Sequence, residues 1–573
     1  MRNIIPFNTK WLFSATAKNQ EKVFADTVIT LPFFHSIETM PVCTFSNSWT
    51  PAENEEGKTV YLEFTQLTGK TEIYLNGNLI AAEDSHRFSF RVLLTNEADP
   101  HTEYKIELKV IPEGRIDGLF AFAGVSIITT DSSHFNLSVP GDGLYITSSV
   151  KNGKGEVNVS TEVIKPNNYD IVSYTVLNSS GYEVASATSK PTSPAAKITI
   201  DIPDLWEGQG GACVYTLRAS LRRDSAVLDE TSSEFGIRDF SVDDEGFFRL
   251  NGFRLPLDGA ELTDCSAVRS DTENLRHLDG NALMSSMLPT KTNLLSYCDK
   301  AGSAFWYCPP YSADADRDTR ALKEFLIIYR NHPSLIFLVC PENADTYYTE
   351  KFIKTAREYA PGILIAARRN IENATENIPD NISLILLDIP CKTQADAYIT
   401  FSGRFRDLQE KYPDKHFAVF AQSPARSESG MKDNAEHHIR LWQTFCRQKG
   451  MIAYFCGLLT DEKNGDGRRG LISNDRSEVY DAFWFYKAQF SSGGFIKIID
   501  PDIYETEEKL TDLRCTTNRT NLRLLVNGKD KKYKAEKLTD GLFIFRQIKL
   551  KPGLNTFEVS ADDECDSIEI VRI

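Results

Sequence analysis

SAFWYCP (303–309), TRALKEFLIIYRNHP (319–333) and LIFLVCPE (335–342) follow one another in the middle of the chain. Two apolar runs of strand length flank a stretch whose apolar residues recur at spacings of three and four, so the order reads strand, covering helix, strand. That is the repeating unit of a parallel sheet. Working outward, the same grammar holds between about 240 and 491. The apolar runs there are FRLPLDGA (253–260), NALMSSML (281–288), SAFWYCP, LIFLVCPE, GILIAAR (362–368), SLILLDIP (383–390), HFAVFAQS (416–423) and MIAYFCGLL (451–459). Helical periodicity recurs in TEKFIKTAREYAPG (349–362) and NAEHHIRLWQTFCRQKG (434–450). Eight strands with covering helices in about 250 residues predict a (β/α)8 TIM barrel, whose chemistry sits at the C-terminal ends of its strands.

The flanks differ. Residues 1–145 alternate apolar and polar positions in short runs such as TVYLEF (59–64), TEIYLNGNLI (71–80) and YKIELKV (104–110), which predicts an antiparallel jelly-roll sandwich with a hairpin at Asn76-Gly77. Residues 146–239 repeat the pattern in GEVNVSTEVI, DIVSYTVLN, KITIDI and VYTLRASL, enough strands for an immunoglobulin-like sandwich. Residues 492–573 form a third β segment, a C-terminal immunoglobulin-like sandwich, with an Asn-Gly turn at Asn527-Gly528. The expected fold class is therefore multidomain, β and α/β.

The chain has 573 residues, 41% hydrophobic and 25% charged, and a formal net charge of −16. This balance argues against non-specific binding to nucleic acid or to anionic membrane. No apolar run near MRNIIPFNTKW or later has the length of a signal-peptide core or a membrane span, so a cytoplasmic location is expected. Eleven cysteines lack the paired close spacings of a disulfide or zinc framework, which suits a reducing compartment. Neither a metal nor any other cofactor is expected.

Several segments carry a resemblance to glycoside hydrolase family 2, the family of β-galactosidases, β-glucuronidases and β-mannosidases. LEFTQLTGKTEIYLNGNLIAAED (62–84) is similar to its sugar-binding jelly roll. LWEGQGGACVYTLRASL (205–221) and FGIRDF (235–240) are similar to the end of its immunoglobulin-like domain. FFRLNGFRLPLDGAE (247–261) resembles the entry to its first barrel strand, Asn331-His332-Pro333-Ser334 the tetrapeptide before its fourth, and GLISNDRSEVYDAFWFYKAQF (470–490) the end of its barrel. Six such segments stand in the family's order.

The resemblance implies a retaining mechanism, which needs two carboxyl groups about 5 Å apart, one as acid/base and one as nucleophile. The family places an Asn-Glu pair at the end of the segment opened by Asn-His-Pro-Ser. In NHPSLIFLVCPEN the order is reversed, with Asn343 at the Glu position and Glu342 at the Asn position. Adjacent strand residues face opposite ways, so Glu342 could serve only through a one-residue bulge. Gln422 stands where the nucleophile belongs, and a carboxamide has no anionic oxygen to form the glycosyl ester. The family's Asn-Ala-Val-Arg-x-Ser-His-Tyr-Pro reads NALMSSMLP here, with Met284, Met287 and Leu288 in place of Arg, His and Tyr. Its Gly-Val-Asn-x-His is replaced by residues 259–263, with Glu261 among them.

The expectation is a catalytically impaired, carbohydrate-binding or scaffolding relative of β-galactosidases, a pseudoenzyme. The alternative is an active, divergent retaining β-glycosidase in which Glu342 works with a relocated carboxylate, Asp388 or Glu462. Asp461 stands beside Glu462. Candidate substrate contacts are Asn343, Gln422, Asp258, Glu261, Trp306 and Trp484. The expected partner is a carbohydrate, and a homo-oligomer is implied because family members are often oligomeric. Cys308, Cys340, Cys391 and Cys456 fall in or near barrel strands and read more readily as small core residues than as a thiolate or metal cluster. His437 and His438 read as a solvated helix surface. Residues 462–467 look like half a calcium loop, but Ser473 stands where a closing Glu is required, so a polar loop is expected.

Overall fold

A computed structural model describes the chain except for residues 17–21, 37–41, 84–87, 113–118, 265, 288–292, 375–377, 392–394, 424–430, 447, 449, 463–468 and 500–504. Leu288 and most of the calcium-like loop lie outside the described residues.

All eight apolar runs overlap barrel strands: β1 (Leu257–Glu261), β2 (Ala282–Ser285), β3 (Ala304–Tyr307), β4 (Leu335–Cys340), β5 (Leu364–Asn370), β6 (Leu384–Ile389), β7 (His416–Ala421) and β8 (Met451–Thr460). Each pairs in parallel with the next, and β1 pairs with β8 to close the barrel. The covering helices are α1 (Val268–His277), α2 (Leu294–Ala301), α3 (Ala315–Tyr329), α4 (Thr346–Tyr359), α5 (Ala395–Lys411), α6 (Met431–Phe445) and α7 (Asp481–Phe490). Helix α3 starts where the Asp314 side chain accepts from the backbone N–H groups of Asp316 and Arg317, an N-cap that offsets unsatisfied donors of the first turn. None of the described helices is long and apolar enough to cross a membrane.

Period-2 alternation, broken at Ile336–Phe337 and Ile452–Ala453 where the register shifts, sorts the strand residues between two cores. Leu257, Met284, Trp306, Phe337, Ala366, Leu386, Phe420 and Phe455 fill the barrel interior. Ala260, Leu283, Phe305, Leu338, Ala367, Leu387, Val419 and Cys456 face the helices. Trp306 is fully buried, stacked on Phe337 with ring centroids 3.8 Å apart and meeting Phe455 edge-on at 5.2 Å. The barrel is a packed core and not a pore.

Ahead of it, a four-stranded and a six-stranded sheet enclose Trp11, Phe13, Phe45, Phe64 and Phe122. The hairpin falls at Asn76-Gly77, where φ is 47° and 83°, the left-handed values that a tight two-residue turn requires. Sheets of three and four strands between Tyr145 and Phe235 then form the immunoglobulin-like sandwich around Tyr174, Tyr215 and Leu217. Sheets of four and five strands after Ile496 form the C-terminal sandwich around Leu513, Phe545 and Phe557.

Three of the segments that carry the family resemblance, around Trp206, Gly236 and Asn331, meet at the N-terminal end of the barrel. Asn331 accepts from Ile146 N–H at 3.0 Å and donates to the Leu144 carbonyl at 3.0 Å, tying the barrel to the immunoglobulin-like sandwich. His332 Nδ1–H and Ser334 N–H donate to the two oxygens of the buried Asp299 at 2.6 and 2.9 Å. The Trp206 indole N–H donates to the Asp299 carbonyl at 2.9 Å. Arg238 donates to the Leu335 carbonyl at 3.1 Å. Gly236 lies so close to Pro333 that an added Cβ would sit 2.6 Å from the ring, too close for any side chain. Gly236→Ala is therefore expected to cost about 1–3 kcal/mol through overpacking, measured as a lower urea midpoint with an unchanged slope.

Candidate functional site

Inward-facing positions at the C-terminal ends of β1, β5 and β6 bring Glu261, Arg368 and Asp388 together. Parity explains the choice: Glu261 shares its face with Leu257, Arg368 with Ala366, and Asp388 with Leu386, all of which line the barrel interior. Arg368 Nε donates to both oxygens of Asp388, at 2.8 and 3.1 Å, and its guanidinium lies 5.3 Å from the Phe420 ring centre. Asp388 is 4% exposed and Glu261 8%.

Burial pushes the Glu261 carboxyl up from 4.5 to about 7; Arg368 opposes the rise, while Asp388 and Glu462 add to it. Burial also lifts Asp388, again against the pull of Arg368, with Glu342 contributing like-charge repulsion. For Arg368 itself burial works against the charge, but Asp388, Cys308 and Glu261 outweigh it and its pKa is raised. Arg368 thus stands among the carboxylates gathered at the mouth.

Glu342 reaches this rim from the loop after β4. It is half-buried, and its Oε1 accepts from Asn370 N–H at 3.0 Å, beside the Asn370–Asp388 pair of the β5–β6 ladder. β4 has a one-residue irregularity against β3 at Ile336, but it pairs with β5 without interruption from Phe337 to Cys340, and Glu342 lies beyond that ladder in the following loop. Asn343 is exposed, and its backbone carbonyl accepts from the Tyr311 hydroxyl at 3.0 Å. Gln422 follows β7; its N–H donates to the Ile389 carbonyl at 3.0 Å, and its own carbonyl accepts from His437 Nε2–H at 3.1 Å. Glu462 is exposed beside the mouth. Asp461 is buried and structural, accepting from Gly470 N–H at 2.7 Å and the Tyr480 hydroxyl at 2.9 Å.

Several expectations need correction. Asp258 alternates with Leu257 and Gly259, so it faces the helix layer, where its charge acts on Tyr454 and Cys456. It is not a mouth residue. Trp484 lies on α7, stacked on Phe495 with centroids 6.1 Å apart and beneath the Lys497 ammonium at 5.6 Å, so it joins the barrel to the C-terminal sandwich. Trp306 lies below the mouth inside the barrel, and its indole N–H is buried with no hydrogen-bond partner among the described residues. His437 and His438 are buried, not solvated: His437 is held between the Tyr398 hydroxyl and Gln422, and His438 Nδ1 lies 3.0 Å from the Tyr486 hydroxyl. Both are on a helix face turned inward, which adjacency in sequence does not reveal.

Burial pushes the Cys308 and Cys456 thiols up and Cys340 to about 11, so all three are neutral core residues. No group of three or more metal-ligating side chains occurs among the described residues. Arg368 is the site residue that sequence reading passes over. It ends the run GILIAAR, where a charge reads as a strand boundary, and only its parity with Leu364 and Ala366 signals an inward guanidinium.

Glu261 also sets a pH dependence. Between about pH 4.5 and 7 the folded chain keeps a proton that the unfolded chain has released. The stability contributed by Glu261 is therefore fully present below about pH 4.5 and is lost as pH rises through 7. Glu261→Gln removes this slope. Between acid and about pH 8, the variant is expected to gain roughly 3 kcal/mol relative to the native chain, read from urea unfolding at the two pH values.

Two β-sandwiches ahead of a (β/α)8 barrel with carboxylates gathered at its mouth define a multidomain barrel protein of the kind built around a C-terminal-face site. Residues 137–238 match the sequence profile of "Glycosyl hydrolases family 2", the family whose segments the chain resembles. A β-glucuronidase of Bacteroides fragilis is 23% identical over 63% of this chain and 60% of its own length. A β-galactosidase of Bacteroides ovatus is 24% identical over 49% of this chain and 37% of its own. The chain thus spans less than two thirds of these curated relatives. Among solved structures, an FMN-binding β-glucuronidase from Faecalibacterium prausnitzii superposes with a TM-score of 0.82 at 20% identity, over 100% of this chain and 98% of that one. A β-glucuronidase from Ruminococcus gnavus in complex with D-glucuronic acid gives 0.70 at 15% identity, over 86% and 98%.

Proposed function

We propose that the barrel mouth binds a β-linked hexose or uronic acid, the sugars of its named relatives, without the two-carboxylate displacement. The observation that carries this reading is the commitment of Asp388 to Arg368. A retaining mechanism needs a second carboxyl poised at the anomeric carbon, whereas Asp388 is held by Arg368, whose half-buried guanidinium donates from Nε to both of its oxygens. Gln422, at the position where the family needs the nucleophile, supplies no replacement.

The test is a panel of nitrophenyl β-glucuronide, β-galactoside and β-mannoside, with calorimetry of the corresponding sugars. Binding without turnover is expected. Turnover that disappears in Glu342→Gln overturns the proposal.

One observation favours a second reading, an active divergent β-glycosidase. Glu261, with a pKa of about 7, is protonated near neutrality, as a general acid must be. In that case turnover falls as pH rises above about 7 and is lost in Glu261→Gln.

A further inference from the structure

At the opposite end of the barrel from the mouth, a cavity of about 260 Å³ lies between the immunoglobulin-like sandwich and the loops that enter β4 and β5. Arg238 and Arg330 both line it. Each guanidinium is laid against an aromatic ring of the same wall: Arg330 is 3.7 Å from the Tyr145 ring centre and Arg238 is 5.0 Å from that of Phe240. Stacking on a ring fixes the plane of a guanidinium and leaves its edge donors for a ligand.

A guanidinium has five N–H donors. Here each spends one on a carbonyl, Arg238 on Leu335 at 3.1 Å and Arg330 on Tyr359 at 3.2 Å. The Nε of each is buried with no partner among the described residues. Neither arginine forms an ion pair among those residues. The charge that acts on Arg238 is that of Asp299, whose oxygens are already taken by His332 and Ser334. Asp239, the carboxylate on the cavity wall, is exposed and bonds to neither arginine. Burial pulls Arg238 down to about 10 and also lowers Arg330, as expected for cations withdrawn from water without a counter-ion.

Two cations on the wall of one cavity have lost solvation without an ion-pair partner among the described residues, and an oxyanion between them offsets that cost. We infer that the interdomain cavity is a binding site for a phosphate-type oxyanion, held by Arg238 and Arg330 and clamping the immunoglobulin-like sandwich to the barrel. Asn331, which also lines the cavity, already joins these two domains, so a ligand there reinforces an existing junction.

The experiment is thermal unfolding of the full chain in increasing potassium phosphate, matched for ionic strength with potassium chloride. A saturable rise of about 2–4 °C is expected in phosphate and not in chloride. The rise is expected to vanish in Arg238→Gln/Arg330→Gln. If that double variant does not fold, Arg330→Gln alone keeps the Arg238 bond to Leu335 and is expected to shift the phosphate midpoint at least about tenfold. No saturable rise in the native chain, or the same rise in the variants, overturns the inference. Sugar binding at the mouth is unaffected by Arg330→Gln, so this result stands or falls apart from the proposed function.

Discussion

Replacing Arg368 by methionine is expected to destabilise the protein by about 3–5 kcal/mol near pH 8 and to abolish ligand binding at the barrel mouth. The reason is what the guanidinium leaves behind. Asp388 and Glu261 are both buried, and Arg368 is the cation that acts on each of them. Removing one partner of a buried ion pair exposes the full desolvation penalty of the other. The deficit is also expected to shrink on acidification, because protonated carboxyls no longer need the cation. Methionine keeps much of the packing against Phe420, so the loss reports charge more than shape. Arg368→Lys should fall between the two, keeping a charge but not a planar fork. Urea unfolding at pH 5 and pH 8 checks the expectation, and an R368M variant as stable as the native protein at pH 8 refutes it.

The second large effect lies at the other end of the barrel. Asp299→Ala is expected to cost about 3–5 kcal/mol and to loosen the immunoglobulin-like sandwich from the barrel. Asp299 is fully buried on α2 and accepts from His332 Nδ1–H and Ser334 N–H. Hydrogen bonds to a charged acceptor contribute about 1.5–3 kcal/mol each, and the alanine leaves the buried Ser334 N–H and the part-buried His332 ring N–H unmet. The backbone carbonyl of the same residue takes the Trp206 indole N–H, so the fluorescence of Trp206 should report the loosening. Asp299→Asn keeps an oxygen acceptor and should lose about half as much. An Asp299→Ala variant that unfolds at the native urea midpoint contradicts this account.

These two sites show how legibility divides. Asn331-His332-Pro333-Ser334 is readable as a family signature because its contacts are dense and local to one junction: Asn331 to the neighbouring sandwich, His332 and Ser334 to Asp299, Pro333 against Gly236. In the fold these four residues join the barrel to the immunoglobulin-like sandwich. At the mouth the reverse holds. Glu261 and Asp388 stand out in sequence as carboxylates near strand ends, but their partner Arg368 does not, because it reads as the polar end of an apolar run. Asp258 and Glu261 are three residues apart on one strand and face different layers, and only the register of β1 against β2 and β8 separates them. His437 and His438 depart from expectation for a related reason: polarity suggests solvent, while the packing of α6 buries both.

Eight apolar runs spaced by helical periodicity determined the barrel by themselves, since strand and helix periods are local properties that survive translation into any fold of that class. Alternating runs and Asn-Gly turns did the same for the sandwiches. Which charges meet was decided only by tertiary structure. A closed barrel converts the parity of each strand into membership of the mouth or of the helix layer, and it sets Arg368 beside Asp388 across adjacent strands that are far from contact in sequence. Burial then supplies what no sequence states, the low dielectric that raises Glu261 to about 7 and leaves Arg238 and Arg330 facing an interdomain cavity without a counter-ion among the described residues.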